Sequence, residues 1–290
     1  MPPVCVVSYT THYLPHPTRE AAGLQTVSLY VNFDPEHPRH EREAELTDVA
    51  EFYARLRQGT GVPTTSQPSI GDFLAVYEPL LADGRDIVSV HISGGISGTV
   101  ESARLAAAQA LTAAPGRRIE VVDSRTAAAG LGLAALATAR AAAAGRDVDA
   151  VAERAREAVE SVRIWFALDT LEFVRRGGRI GAAQAFLGGA LKVKPVLTIR
   201  DEVQPVDRVR TASRAFERLA RCLEEMREAG AGAYAVQHIQ SAQAAERLAA
   251  RGREIFGRDP EFVSEVGPVI GTYAGPGMLG VSALRAELLA

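Results

Sequence analysis

Short apolar runs alternate with helix-patterned segments through the first 160 residues, and that alternation leaves few folds open. Val4–Val7, Thr26–Val31, Asp86–Ile92 and Ile119–Asp123 are short and β-branched, the signature of buried strands. Between them, Thr47-Asp48 starts a helix that Gly59 ends, and further helices are expected over 71–82, Thr99–Ala113, 126–144 and 149–160. The stretches TTHYLPHPT, NFDPEHPRHERE and VPTTSQPS read as turn and loop. Strands that take turns with helices predict a parallel sheet covered on both faces. After Arg163 the texture changes. IWFALDT reads as a strand, LEFVRRGGRI as a short helix broken by two glycines, and KPVLTI with EVQPVDRVR as a hairpin. A helix at 212–229, the strand YAVQHI, a helix at 243–256 and a Gly/Pro-rich strand region follow. The expectation is an α/β protein of two domains: residues 1–160 a Rossmann-like parallel-sheet domain, residues 161–290 an α+β domain.

Composition excludes several functional classes. With 290 residues, 47% of them apolar, the chain can bury about three quarters of its unfolded surface without metal or disulfide. A net charge of −3 argues against a nucleic-acid binder. Cys5 and Cys222 form no CxxC pair, so no cysteine zinc site or disulfide framework is expected. No basic segment precedes Arg19, so no secretory signal is expected. Gly267–Leu284 is uncharged over 18 residues, long enough to raise a membrane span, yet its five glycines and two prolines favour turns and short strands. A cytoplasmic protein without an integral membrane segment is the expectation.

Several segments could carry chemistry. SGGISGT, Ser93 to Thr99, ends a buried strand and opens a helix. Its glycines admit a ligand to the backbone, and the free N–H groups at a helix start favour an anion. The alternative is a Ser/Gly turn with a serine cap. In VPTTSQPS, Ser69 can equally be a simple helix cap. Gly95-Ile96-Ser97-Gly98-Thr99 nearly matches the GxSxG nucleophile elbow; a serine hydrolase acting on acyl esters would pair Ser97 with His238, the one histidine downstream. Gly130-Leu131-Gly132-Leu133-Ala134-Ala135 has the letters of GxGxxA but starts too far beyond its strand for a dinucleotide turn, so close helix packing explains it better. His37 and His40 could hold a metal only with nearby acids, and a solvated loop is the plainer reading. Arg175, Arg176, Arg179, Lys192, Lys194, Arg208 and Arg210 form a cationic run suited to a phosphate, an acidic partner or simply solvent.

Taken in order, PTTSQPS, SGGISGT, VVDSRTAAAGLGL, LEFVRRGGRI, LKVKPVLTI, DRVRT and GTYAGPGMLG resemble the DegV family of bacterial fatty-acid-binding proteins over nearly the whole chain. The resemblance implies two α/β domains with a long-chain fatty acid in a tunnel, its carboxylate at their junction. It implies a carrier without catalytic residues or cofactor that presents the carboxylate to a separate ATP-dependent kinase subunit, which makes acyl phosphate for phospholipid synthesis. By motif, Thr65, Ser97 and Gly98 match the carboxylate contacts, and Arg210 the arginine associated with phosphorylation. Tyr273 stands where the family's HTGPG-like motif has histidine, and Tyr9 where its TDST-like motif has aspartate, beside the expected mouth of the site. A binder of another small anion, such as a phosphorylated metabolite, is the remaining alternative.

Overall fold

The computed structural model describes residues 3–33, 40–46, 48–59, 63–186 and 193–290. In chain order the first half runs β1 (Val4–Tyr9), α1 (His16–Ala21), β2 (Gln25–Val27), β3 (Tyr30–Asn32), β4 (His40–Arg42), α2 (Val49–Gln58), β5 (Thr64–Ser66), α3 (Ile70–Ala82), β6 (Asp86–His91), α4 (Thr99–Ala113), β7 (Ile119–Asp123), α5 (Ala128–Ala143) and α6 (Val148–Ser161). The second half runs β8 (Arg163–Ala167), α7 (Glu172–Arg176), β9 (Lys194–Arg200), β10 (Glu202–Val209), α8 (Ala212–Glu228), β11 (Ala233–His238), α9 (Ala242–Phe256), β12 (Val263–Glu265), α10 (Pro268–Ala274) and β13 (Leu279–Leu284).

The strands sort into three sheets. The first is parallel, in the order β2-β1-β6-β7. A small antiparallel sheet, β4-β3-β5, stands beside it. The six strands after Ser161 form the third, ordered β10-β9-β8-β13-β11-β12, antiparallel except where β12 joins β11. The fold is α/β, with a parallel sheet as the alternation of strand and helix requires.

Three local expectations need correction. Thr26–Val31 is not one strand: the chain bends at Ser28-Leu29, β2 joining the parallel sheet and β3 the antiparallel one. TTHYLPHPT, NFDPEHPRHERE and VPTTSQPS are not wholly irregular, since α1, β4 and β5 fall within or beside them. The uncharged stretch at 267–284 holds a seven-residue helix, α10, before its strand. Among the described residues no helix is long and apolar enough to cross a membrane.

One apolar cluster runs from β1 and β6 through α5 and α6 to β8 and β11. The heart of it is α5, where 13 residues are buried. Its glycines permit close approach: a side chain at Gly132 would press on Phe262 and the His12 carbonyl, which supports the packing reading of GxGxxA. Buried Leu131, Leu133 and Leu136 each contribute about 1.5–3 kcal/mol. A second cluster lies on the other face of the third sheet, beneath α8 and α9. Strand alternation divides β11 between them: Ala233 and Ala235 join the first cluster, Tyr234 and Val236 the second.

Candidate functional site

Between the sheets lies a cavity of about 320 Å³, within the roughly 300–1,000 Å³ usual for small-molecule sites. Its walls are mainly apolar, with Leu29, Ile92, Ile96, Phe166, Leu168 and Met278 among them. The register across the third sheet shapes one wall: Phe166 pairs with Gly280 and Gly280 with Gln237, so a residue without a side chain stands between two that line the cavity.

The polar groups gather from distant parts of the chain. Thr65 comes from β5, fixed by its pairing with Val31 of β3. Tyr273 comes from α10, and its hydroxyl lies 2.5 Å from Thr65 Oγ1. Ser97 comes from the turn between β6 and α4, its Oγ 2.8 Å from Thr99 Oγ1. That turn folds on itself: Ile96 and Ser97 N–H groups both donate to the Ser93 carbonyl, each at 3.1 Å. The positive end of the 15-residue helix α4 follows immediately. Gly98 is not part of the lining but sits behind it, where a side chain would strike the Gln67 amide. Gln67 lines the cavity and donates from Nε2 to Ser102 Oγ at 2.9 Å.

α10 is a short, glycine-bounded helix held from outside. Buried Glu43 accepts from the Val269 N–H at 2.8 Å, from the Tyr13 hydroxyl at 2.7 Å and from Thr10 Oγ1. Tyr53 donates to the Val266 carbonyl at 2.6 Å. Burial pushes the Glu43 carboxyl above its ordinary 4.5, against the pull of those donors. This network fastens Tyr273 to the first half of the chain.

Arg179 is the cation at the site. It lines the cavity, its guanidinium lies 5.1 Å from the centre of the Tyr273 ring, and it donates to the Gly177 carbonyl at 2.7 Å. It also approaches the Ile96 carbonyl, at 3.5 Å, from outside the serine turn. In the sequence Arg179 is one of seven cations; its place after Gly177-Gly178 is the only local hint of its role. The rest of that run disperses. Arg176 pairs with Glu172, Lys194 with Asp169, and Arg208 lies over the Phe186 ring. Arg210 is exposed, between β10 and α8, and is not part of the lining. Lys192 and His37 lie outside the described residues, as does the side chain of His40.

Two expectations fail on geometry. Ser97 and His238 form no catalytic pair. Gln237 faces the cavity, so its neighbour His238 projects from the opposite face of the strand, where Nδ1 accepts from the Ser241 N–H at 3.3 Å. Nor does Tyr9 stand at the mouth. It is fully buried, stacked on His91 at 5.5 Å, and its hydroxyl accepts from the Ile92 N–H. Tyr9 therefore steadies the base of the serine turn instead of meeting a ligand. Ser69 is a cap and no more, its Oγ accepting from the Asp72 N–H at 3.1 Å.

Three hydroxyls, a helix N-terminus and an arginine at one part of an apolar cavity suit an amphipathic anion: donors for the head, apolar wall for the tail.

Comparison with known proteins agrees with that chemistry. The family model described as "Uncharacterised protein, DegV family" matches residues 3–286. A DegV domain-containing protein of Streptomyces coelicolor is 37% identical over 281 residues, 96% of this chain and 97% of the relative. One from Clostridium acetobutylicum is 36% identical over 261 residues, 89% of this chain and 90% of the relative. Among solved structures, a fatty-acid-binding DegV family protein from Thermus thermophilus is similar with a TM-score of 0.86 at 34% identity, covering 97% of this chain and 99% of that one. DegV, a fatty acid binding protein from Bacillus subtilis, gives 0.84 at 32% identity, covering 98% and 100%. A stearic-acid-binding protein from Eubacterium ventriosum shares the fold, with a TM-score of 0.89 at 20% identity over 98% of each chain.

Proposed function

This chain belongs to the DegV family, and from that premise we propose that it binds a long-chain fatty acid at the junction of residues 1–160 and 161–290. The observation that carries the reading is the cavity itself, where Thr65, Tyr273, Ser97 and Arg179 adjoin a mainly apolar wall. Hydroxyls donate to a carboxylate through charge-assisted bonds, and Arg179 offsets its charge. Each buried methylene of the tail adds about 0.8 kcal/mol before the costs of association. A small phosphorylated metabolite would leave those apolar walls unused.

The chain acts as a carrier. It presents the carboxylate to a separate ATP-dependent kinase subunit, and exposed Arg210 faces that partner and the phosphoryl group in transit. The family resemblance of the VRT motif supports this role, and exposure makes Arg210 accessible to a partner. Native mass spectrometry of the purified protein, followed by extraction, tests the core of the reading. An acyl-chain mass released on denaturation is the expected result. Absence of any bound acyl chain, together with no binding of added octadecanoic acid, would overturn it.

A further inference from the structure

The tip of the β9–β10 hairpin is built against the ordinary preferences of its backbone. Asp201, the one residue between the two strands, has φ 67°, and Arg125, in the turn from β7 to α5, has φ 55°. Both lie in the left-handed region, which residues other than glycine seldom enter unless their surroundings impose it. The two are bonded to each other. The Asp201 N–H donates to the Arg125 carbonyl at 2.9 Å, and the Arg125 guanidinium grips the Asp201 carboxylate bidentately, with both bonds at 2.7 Å. The Asp201 carbonyl reaches the serine turn: it accepts from Ser93 Oγ, and a side chain at Gly95 would strike it. Ser93 is the hub of that turn. Its carbonyl takes the Ile96 and Ser97 N–H groups, its N–H donates to the Thr126 carbonyl at 2.9 Å, and its Oγ accepts from the Gly95 N–H at 3.1 Å. Asp201 is not part of the cavity lining, although Ile199 and Val203, two residues to either side, are.

We infer that Asp201 is a positioning residue for the ligand head: its left-handed backbone delivers a carbonyl to Ser93, and Ser93 holds the turn that carries Ser97. The inference rests on the fatty-acid reading above. The backbone carries the role, because an ion pair as exposed as Arg125–Asp201 contributes little. The side chain at 201 therefore matters through the φ it permits: glycine keeps the tip, whereas β-branched valine strongly disfavours it.

The test is titration with octadecanoic acid of Asp201→Val, Asp201→Gly and Ser93→Ala, each alone and combined with Ser97→Ala. Ser97→Ala alone should weaken the acid about tenfold, the loss of one hydrogen bond to a charged group. Asp201→Val and Ser93→Ala should each approach that loss. Asp201→Gly should stay within about threefold of the wild type, and none should weaken binding further once Ser97 is alanine. A merely structural role would subtract the same factor in both backgrounds. The inference is overturned if Asp201→Val or Ser93→Ala binds as the wild type does, or if Asp201→Gly loses as much as Asp201→Val. It is equally overturned if the losses persist in the Ser97→Ala background, or if Ser97→Ala itself leaves affinity unchanged. Should Asp201→Val fail to fold, Ser93→Ala decides by the same comparison. No binding of octadecanoic acid by the wild type sinks the fatty-acid reading instead.

Discussion

Replacing Thr65 with valine keeps the shape of the side chain and removes the hydroxyl, so it isolates one contact to the ligand head. A hydrogen bond to a charged group contributes about 1.5–3 kcal/mol. The full amount is not expected here, because Thr65 is already engaged with Tyr273 at 2.5 Å. To reach a carboxylate the two hydroxyls exchange one neutral bond, which is itself worth about 0.5–1.5 kcal/mol. Taking the middle of each range, the difference is about 1.25 kcal/mol, roughly an eightfold loss of affinity for octadecanoic acid. Half-buried Tyr273 can recover a partner from water in the free variant, so little stability is lost. Isothermal titration with octadecanoic acid and octadecanol separates head from tail. The acid should weaken by that factor and the alcohol hardly at all. Unchanged affinity for the acid, or an equal loss for acid and alcohol, would refute the assignment of Thr65 to the head group.

Further outcomes follow from the same geometry. Arg210→Ala should still retain fatty acid, because Arg210 is exposed and outside the cavity lining, yet fail in a coupled assay with the cognate kinase and ATP; loss of binding with transfer intact would reverse the roles. In Gly177→Ala the new methyl would overlap the Tyr273 ring, so the ring should move off Thr65. Overpacking costs about 1–3 kcal/mol, and acid affinity measured by titration should fall to that of Tyr273→Phe with no further loss in the double variant. Glu43 sets a pH dependence. Its folded-state carboxyl is raised above the ordinary 4.5, so the folded protein holds the proton more tightly and its stability falls as pH rises from about 4.5 through the raised value. Glu43→Gln should lose that slope in urea unfolding series and match or exceed the wild type at neutral pH, since Gln can still accept from Val269 and Tyr13. Glu43→Ala, which leaves those donors unanswered, should cost about 3 kcal/mol or more for several unmet groups.

The elements that could be read from the sequence are those whose cause is local. β6, α4 and β7 follow from periodicity, and α3 from its Ser69–Asp72 capping pair. Helix α10 could not be read, because its support is remote: Glu43, Tyr13 and Tyr53 hold a segment that glycine and proline would otherwise keep irregular. The division of Thr26–Val31 is equally tertiary, since two sheets compete for one apolar run. Thr65 and Ser97 stood out as hydroxyls in small-residue turns. Arg179 was hidden among its neighbours, and the roles of Gln237 and His238 depend on which face of β11 each occupies. No single-residue signal distinguishes those faces; only the packing of the whole strand does.

The strand order of the third sheet has a consequence for synthesis. β13 follows every other strand of that sheet in the chain, yet it lies between β8 and β11, joining β10-β9-β8 to β11-β12. While the ribosome is still making residues 279–284, the sheet exists only as two separate pieces, each with an open edge that can recruit another chain. The cavity wall formed by Phe166, Gly280 and Gln237 is missing over the same interval. The nascent chain is therefore prone to aggregate until β13 is made, and a ribosome stalled short of Leu279 should hold a protein that neither binds its ligand nor resists proteolysis.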